Sequence, residues 1–472
     1  MPALSIQDQV TQRLTPLLES ARTRSQHLRR PVLASYTGHL GPAAGFDPTA
    51  LVAQTDAFIW EQPARGFAMA SAGHAVRFAA AGVSRFADVR KDLGALLEDA
   101  VLFQESGAAL RAMPACVGGF AFDPRRPDDV AWFGYPDTLI AIPRVMFTRA
   151  GSHLFLTVSA LAHADTEVTA TADDLASLAR RLEAETRSPA PEAAPSHLLD
   201  PGADARELWS ESVIALTSQI ASGHPDKAVL ARRVGVEAPD AFDARAVLTR
   251  LRQRFPECTV FAVRSGEACF LGATPETLVS LHGDRVRADC LAGSARRGKT
   301  EDEDARIGAD LLADEKERRE HAFVARGITE ALSTVASDVR APETPDLRRM
   351  ANVQHLHTPI EAHTDEPRHV LELVELLHPT AATAGLPREA ALCLIRDQEP
   401  FSRGWYAGPI GWIDAEGGGE FAVALRSGLL REDVATLYAG CGIVQGSQPE
   451  REWTESEIKL EAMLWALNAS HE

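Results

Sequence analysis

The sequence is short of positive charge: its 472 residues carry 48 Lys+Arg against 66 Asp+Glu, a formal net charge of −18. Nucleic acid and anionic lipid would repel the average face of such a chain, so neither is expected as a partner. A small anion held in a local basic pocket stays compatible with this balance. Long apolar runs are also missing; none approaches the roughly 18 residues that span a bilayer. The opening Met1-Pro2-Ala3-Leu4-Ser5-Ile6-Gln7-Asp8 is too polar for a signal-peptide core. The six cysteines, at 116, 258, 269, 290, 393 and 441, form no CxxC pair. Structural zinc and thioredoxin-like chemistry are therefore not suggested, and a reducing cytoplasm is the expected location. No internal repeat is found, which excludes solenoids.

What is present is an ordinary globular composition, 45% hydrophobic and 24% charged, in a chain long enough for a sizeable core. Residues 8–30 read as an amphipathic helix ended by Pro31. The proline-rich stretch Ser188 to Pro195 reads as an exposed connector, either a boundary between 1–195 and 200–472 or a long loop within one domain. Beyond it we expect helices over Leu208–Ser222, Ala305–Val339 and Val370–Leu377, and a final helix reaching about Asn468. Strands are expected over Ala228–Val234, Gln354–Ile360, Phe421–Arg426 and Ala435–Tyr438, with a hairpin turning at Ser265-Gly266. The irregular alternation predicts a large mixed α/β (α+β) fold.

Gly293-Ser294-Ala295-Arg296-Arg297-Gly298-Lys299-Thr300 satisfies the phosphate-loop pattern. Its context argues against that use. Glu301-Asp302-Glu303-Asp304 follow where a helix N-terminus would receive phosphates, and four carboxylates repel a polyphosphate. Gly440 to Gly446 is one residue too long for the dinucleotide fingerprint and follows no βαβ unit.

Two helices carry carboxylates on apolar faces. Val324, Ile328, Leu332 and Val335 define a stripe that runs back to Glu320 and Glu317. In the second helix, Ser447 and Glu450 form a capping box, and Glu452, Glu455 and Lys459 lead into Met463 and Leu467. Carboxylates at the end of a core stripe need a partner or a cation. The two E-x-x-E pairs could converge on one divalent ion, with all-oxygen ligands favouring Mg²⁺ over zinc. Alternatively they are solvated and pair with neighbouring arginines.

Asp226-Lys227-Ala228, Gly272-Ala273-Thr274-Pro275-Glu276, Leu291-Ala292-Gly293-Ser294-Ala295-Arg296-Arg297, Glu320-His321, Val353-Gln354-His355-Leu356, His378 to Pro387, Tyr406-Ala407-Gly408, Ala424-Leu425-Arg426-Ser427 and Tyr438 to Val444 together resemble the chorismate-utilising enzymes. They occur in family order across roughly residues 200–470, and the isochorismate synthases are the most similar group. The resemblance implies an anthranilate-synthase-like fold, two facing and mostly antiparallel sheets wrapped by helices. Residues 1–195 would then be a variable N-terminal part of one composite domain with 200–472. It also implies an isomerase that adds water at C2 of chorismate while the C4 hydroxyl leaves.

By resemblance, Lys227 is the general base and Glu276 the general acid, which requires a lowered pKa for the first and a raised one for the second. Mg²⁺ is implied as cofactor on Glu317, Glu320, Glu452 and Glu455. Arg426 matches the residue that pairs with the enolpyruvyl carboxylate. Gly440 and Gly442 would offer backbone N–H groups. Gly293, Ser294, Tyr406 and Lys459 match other pocket positions, and His355 either touches substrate or is a core histidine. Lysine at 227, where ammonia-adding relatives carry Gln, implies water as nucleophile; Ala292 stands where the covalent lysine of 4-amino-4-deoxychorismate synthases lies.

Ala382 stands where pyruvate-eliminating members carry Thr, which favours stopping at isochorismate. With Thr383 next door, a salicylate synthase is the alternative. Leu17-Leu18-Glu19-Ser20 is similar to the tryptophan-sensing motif of anthranilate synthases, and its helical setting near the N-terminus marks it as coincidence. By resemblance, the shape of His378 to Pro387 and the long N-terminal region point to the menaquinone type, with a siderophore pathway as the other destination. A monomer or weak homodimer is expected.

Overall fold

The computed structural model describes residues 5–105, 113–125, 129–199, 202, 204–223 and 225–470. The first helix, Ile6–Leu28, starts where the Ser5 side chain accepts from the Asp8 N–H. It stops before the expected end because Arg29 turns left-handed, at φ 55°, and returns its N–H to the Ser25 carbonyl. Residue 30, preceding Pro31, is biased against helix for steric reasons.

Almost every strand pairing is antiparallel; the exceptions are Ala34–Thr37 with Val101–Gln104 and Ala469–Ser470 with Ser196–His197. One sheet runs through the long strands Val32–Pro42, His153–Ala162, Thr138–Ala150, Phe67–Phe78 and Ala57–Gln62. It continues through Thr259–Ser265, Ala268–Thr274, Ser427–Arg431, Val434–Val444 and Lys227–Glu237. The second runs Cys116–Phe120, Pro409–Ile413, Gly419–Val423, Thr277–His282, Arg285–Arg296 and Val353–Thr364. Thr138–Ala150 pairs with both Phe67–Phe78 and Cys116–Phe120, so the two sheets join through one strand.

Residues 188–195 have no regular structure. Strands from either side of them nevertheless pair directly, Ala57–Gln62 with Thr259–Ser265 and Cys116–Phe120 with Pro409–Ile413.

The helix expected over Ala305–Val339 is three elements. Glu301–Ala313 ends and Glu315–Leu332 begins at Asp314, whose extended backbone lets its carboxylate accept from the Lys316 and Glu317 N–H groups. A side chain that caps the following turn competes with the helix that precedes it. Ala336–Arg340 is a strand on Val353–Thr364, so Val335 lies beyond the helical stripe while Val324, Ile328 and Leu332 are buried on it. Each of those three contributes about 1.5–3 kcal/mol by leaving water.

The capping box is also corrected. The last helix, Pro449–Ala466, has Gln448 as its N-cap. The Ser447 hydroxyl instead accepts from the Val444 N–H and bonds the Glu452 side chain, so it does not cap the helix N–H groups. The strand expected over Phe421–Arg426 ends at Val423, and Arg426 is left-handed at φ 50°. Among the described residues, no helix is long and apolar enough to cross a membrane.

Candidate active site

Lys227 opens the strand Lys227–Glu237, held between Gly385–Leu386 and Val434–Val444. Its side chain is buried, and Nζ donates to Glu320 Oε1 at 2.7 Å across from the helix Glu315–Leu332. Burial opposes ionisation of Glu320, but the Lys227 charge and hydrogen bond outweigh it and hold its pKa below the ordinary value. Gly442 faces this pair. A Cβ there would stand 2.6 Å from Glu320 Oε1 and 2.8 Å from Lys227 Cε, so glycine supplies the room for the contact.

Glu276 sits between the strands Ala268–Thr274 and Thr277–His282, directly after Pro275. Its N–H donates to Thr274 Oγ1 and its carbonyl accepts from Val423, which fixes the backbone. The carboxyl is fully buried. Burial and then the negative charge of Asp289 raise its pKa to about 8, against opposing pulls from Lys227, Lys459 and Arg348. At neutral pH it is a proton donor.

On another wall of the cavity, Arg426 Nη2 lies 3.1 Å from His355 Nε2, and His355 Nδ1 lies 2.8 Å from Ser294 Oγ and 3.3 Å from the Gly293 carbonyl. Since a guanidinium can only donate, Nε2 accepts and Nδ1 carries the hydrogen. Burial, reinforced by the Arg426 charge, keeps the imidazole neutral. Arg426 Nη1 is buried without a hydrogen-bond partner, leaving one edge of the fork available to an acceptor. Tyr406 and Tyr438 stack beside it with ring centroids 5.2 Å apart.

Lys459 Nζ donates to the Gly440 carbonyl at 2.8 Å and to Glu455 Oε1 at 2.5 Å. Burial works against the Lys459 charge, and Glu455 more than restores it, so its pKa is raised. Gly440 thus serves this lysine through its carbonyl.

The helices Glu315–Leu332 and Pro449–Ala466 bring the four metal-candidate glutamates into electrostatic contact. Glu317 is pushed up to about 7 by burial and then by Glu320 and Glu455. Glu452 is pushed up to about 7 by burial and then by Glu455. Such mutual repulsion between partly buried carboxylates is what a divalent cation relieves, and the oxygen donors suit a hard ion. Cys441 also places its sulfur with Glu452 and Glu455, one ligand atom of each within 4.8 Å of the others. Its thiol donates to the Glu452 carbonyl at 3.1 Å, and burial pushes its pKa well up.

One cavity therefore collects Lys227, Glu276, Gly293, Ser294, Glu320, His355, Ala382, Tyr406, Arg426, Gly440, Glu455 and Lys459. Gly442, Glu317 and Glu452 stand outside its lining, the glycine behind the Lys227–Glu320 pair. Sequence reasoning missed Arg403 and Glu399. This buried ion pair ties the Thr383 and Val229 carbonyls and the Ala231 N–H together at the cavity edge. Pro400 between them hides their i,i+4 spacing. The Thr383 hydroxyl points within its own loop, 3.4 Å from the Thr380 carbonyl, and Ala382 offers only a methyl group.

The phosphate-loop pattern is occupied by the chain itself. Asp304 Oδ1 accepts from the Gly298 N–H at 2.8 Å and Glu303 Oε2 from the Lys299 N–H at 2.7 Å, while Thr300 caps Glu301–Ala313. Gly440 and Gly442 lie inside the strand Val434–Val444 and not in a turn that could wrap a dinucleotide.

Known proteins share the sequence and fold of this chain. The family described as chorismate binding enzyme matches residues 18–468. A salicylate biosynthesis isochorismate synthase from Pseudomonas aeruginosa is 37% identical over 99% of this chain and 97% of its own. Among solved structures, the menaquinone-specific isochorismate synthase of Escherichia coli superimposes with a TM-score of 0.76 at 27% identity, covering 96% of this chain and 99% of that one. Anthranilate synthase component I from Streptococcus pneumoniae shares the fold, with a TM-score of 0.64 at 22% identity over 79% of this chain and 85% of that one.

Proposed function

The chain belongs to the chorismate-binding enzyme family, and from that premise we propose that it is an isochorismate synthase that converts chorismate to isochorismate with Mg²⁺. The observation that carries the reading is the convergence of a lysine base, a protonated glutamic acid and an arginine with one free edge on a single cavity. Lys227, in its uncharged form, takes a proton from water as its oxygen bonds C2, the ring double bonds shift, and the C4–O bond breaks. Glu276 gives its proton to the departing hydroxyl, which leaves as water. One water enters and one leaves, and a proton returned from Lys227 to Glu276 through solvent resets the site.

Arg426, aimed by His355, holds the enolpyruvyl carboxylate through its free Nη1 edge. Glu317, Glu320, Glu452 and Glu455 would hold the Mg²⁺. When bound, the ion neutralises those carboxylates and supplies a positive charge for the ring carboxylate of the substrate.

Ala382 offers the cavity only a methyl group where pyruvate-eliminating relatives carry Thr, which supports isochorismate as the final product. The names of the relatives divide among salicylate, menaquinone and 2,3-dihydroxybenzoate, and isochorismate synthase is the activity they share. The menaquinone type remains our reading for the destination, and the cytoplasm for the location. Incubating the pure protein with chorismate and Mg²⁺ and separating the products by chromatography tests the proposal. Isochorismate without pyruvate is expected; no isochorismate at any Mg²⁺ concentration overturns it, and stoichiometric pyruvate replaces it with salicylate synthase.

A further inference from the structure

The helix Pro449–Ala466 carries Glu452 and Glu455 in its first two turns, and those turns are held differently from the rest. Leu460, Met463 and Ala466, further along, pack into one of the two large cores of the chain. The first turns reach a separate, smaller apolar cluster. It is built from Trp209, Val213, Leu216 and Ile220 of the helix Ala205–Ala221 and from Ala228 and Leu230 of the strand that Lys227 opens. Trp453, the residue after Glu452, is the side chain by which Pro449–Ala466 enters that cluster.

Polar groups fix the ring as well. The Arg232 guanidinium, from the same strand as Lys227, lies over the indole with 4.0 Å between its central carbon and the ring centroid. Its Nε donates to Ser456 Oγ at 2.6 Å, and that buried hydroxyl donates to the Trp453 carbonyl at 2.6 Å. Arg232 therefore grips the turn that contains Glu455 through both ring and backbone, and a planar guanidinium suits both contacts. Trp209 meets the Trp453 ring nearly at right angles, centroids 6.2 Å apart, and donates its own Nε1 to the Pro449 carbonyl at 3.2 Å. Trp453 Nε1 donates to Glu457 Oε1 at 2.7 Å, so the indole is buried with its donor satisfied.

The glutamates give this clamp a load to bear. Glu320 and Glu455 repel Glu317, and Glu455 and Glu320 repel Glu452, across the gap between Glu315–Leu332 and Pro449–Ala466. We propose that Trp453, packed on Arg232 and Trp209, is a positioning residue that holds Glu452 and Glu455 where they share one divalent cation with Glu317 and Glu320. The inference rests on the reading of those four glutamates as the holders of the metal. It also couples the metal helix to the base, since Ala228, Leu230 and Arg232 lie on the strand that begins at Lys227.

The test counts Mn²⁺, an ion that takes the same oxygen donors as Mg²⁺, bound to the substrate-free protein. The EPR signal of the free ion is followed in the wild-type chain, Trp453→Ala, Trp453→Phe and Arg232→Met, with circular dichroism to establish that each is folded. Trp453→Ala removes the ring and should weaken Mn²⁺ binding about 10–100-fold, the usual cost of losing a group that orients metal ligands. Arg232→Met keeps apolar bulk but loses the stack and the Ser456 bond, and should weaken binding about ten-fold. Trp453→Phe keeps a ring under Arg232 and should stay within about three-fold of wild type. With Mg²⁺ raised to saturation, the KM of Trp453→Ala for chorismate should return to within about two-fold of the wild-type value, because the other cavity walls are unchanged. A general loosening of the fold would leave KM raised at every Mg²⁺ concentration, and that result overturns the proposal. Unchanged Mn²⁺ affinity in a folded Trp453→Ala or Arg232→Met protein overturns it too, so the arginine variant decides if the alanine variant does not fold. A wild-type chain that binds no Mn²⁺ defeats the metal reading itself, whereas wild-type binding with unaffected variants defeats Trp453 alone.

Discussion

Lys227 Nζ and Glu320 Oε1 stand 2.7 Å apart in a nearly dry setting, and Gly442 comes so close that a single methyl group would collide with both. Gly442→Ala is therefore expected to displace the base without unfolding the strand. A shift of this kind costs on the order of 100-fold in kcat, and the overpacking costs about 1–3 kcal/mol. Lys227→Gln, which removes the base itself, should cost about 10²–10⁴-fold. Steady-state kinetics beside a thermal melt separate the two effects, and an unimpaired Gly442→Ala enzyme would remove the steric argument.

Arg426 reaches its position through a left-handed backbone and is aimed by His355. Arg426→Lys keeps the charge and loses the fork, which leaves His355 Nε2 without its donor. The expected result is a KM for chorismate raised about 10–100-fold, the loss of a charge-assisted bond of about 1.5–3 kcal/mol, with a smaller change in kcat. Initial rates over a range of chorismate concentrations measure it.

The glutamates give a pH-dependent response to Mg²⁺. Burial and mutual repulsion raise Glu317 and Glu452 to about 7 in the folded chain, against an ordinary value of 4.5. The folded state thus holds more protons than the unfolded one between those values. The stability linked to these groups is complete below about pH 4.5 and lost as pH rises through 7. Mg²⁺ should oppose that loss. Its stabilisation should be larger at pH 8 than at pH 5.5, reaching about 3–4 kcal/mol at 100–1,000 times its dissociation constant. Differential scanning calorimetry with Mg²⁺ or a chelator decides it, and a shift equal at both pH values would argue against these ligands.

Glu399→Ala would strand Arg403, which bridges the Thr383 and Val229 carbonyls at the cavity edge. Leaving that guanidinium buried and unpaired should destabilise the chain by about 3–5 kcal/mol, read by urea denaturation. The double variant with Arg403→Leu should recover part of the loss. Additive losses would show that the two side chains act separately.

How far the sequence spoke depended on whether a residue's partner is near in sequence. Val370–Leu377 and the hairpin turning at Gly266 were legible because period, turn residue and packing agree locally. The break at Asp314 was not, since an aspartate inside a helical pattern announces its capping role only when the next helix turns onto a different face. The site was legible as a set of residue types in family order, and the cavity gathers most of them. The Asp289 carboxylate, with His357 Nε2 at 2.9 Å and Arg348 Nη1 at 3.2 Å, was not legible: the three residues lie on separate strands whose register is set by pairings many residues apart.

The carboxylates that fill the phosphate-like loop have a further consequence. Asp304 and Glu303 reach the Gly298 and Lys299 N–H groups from only six and four residues away. A tether that short gives them an effective concentration of millimolar or more at those donors. A free phosphate would have to outcompete a ligand that never diffuses off and that is already balanced by Arg296 and Arg297. The loop is thus self-inhibited as an anion receptor.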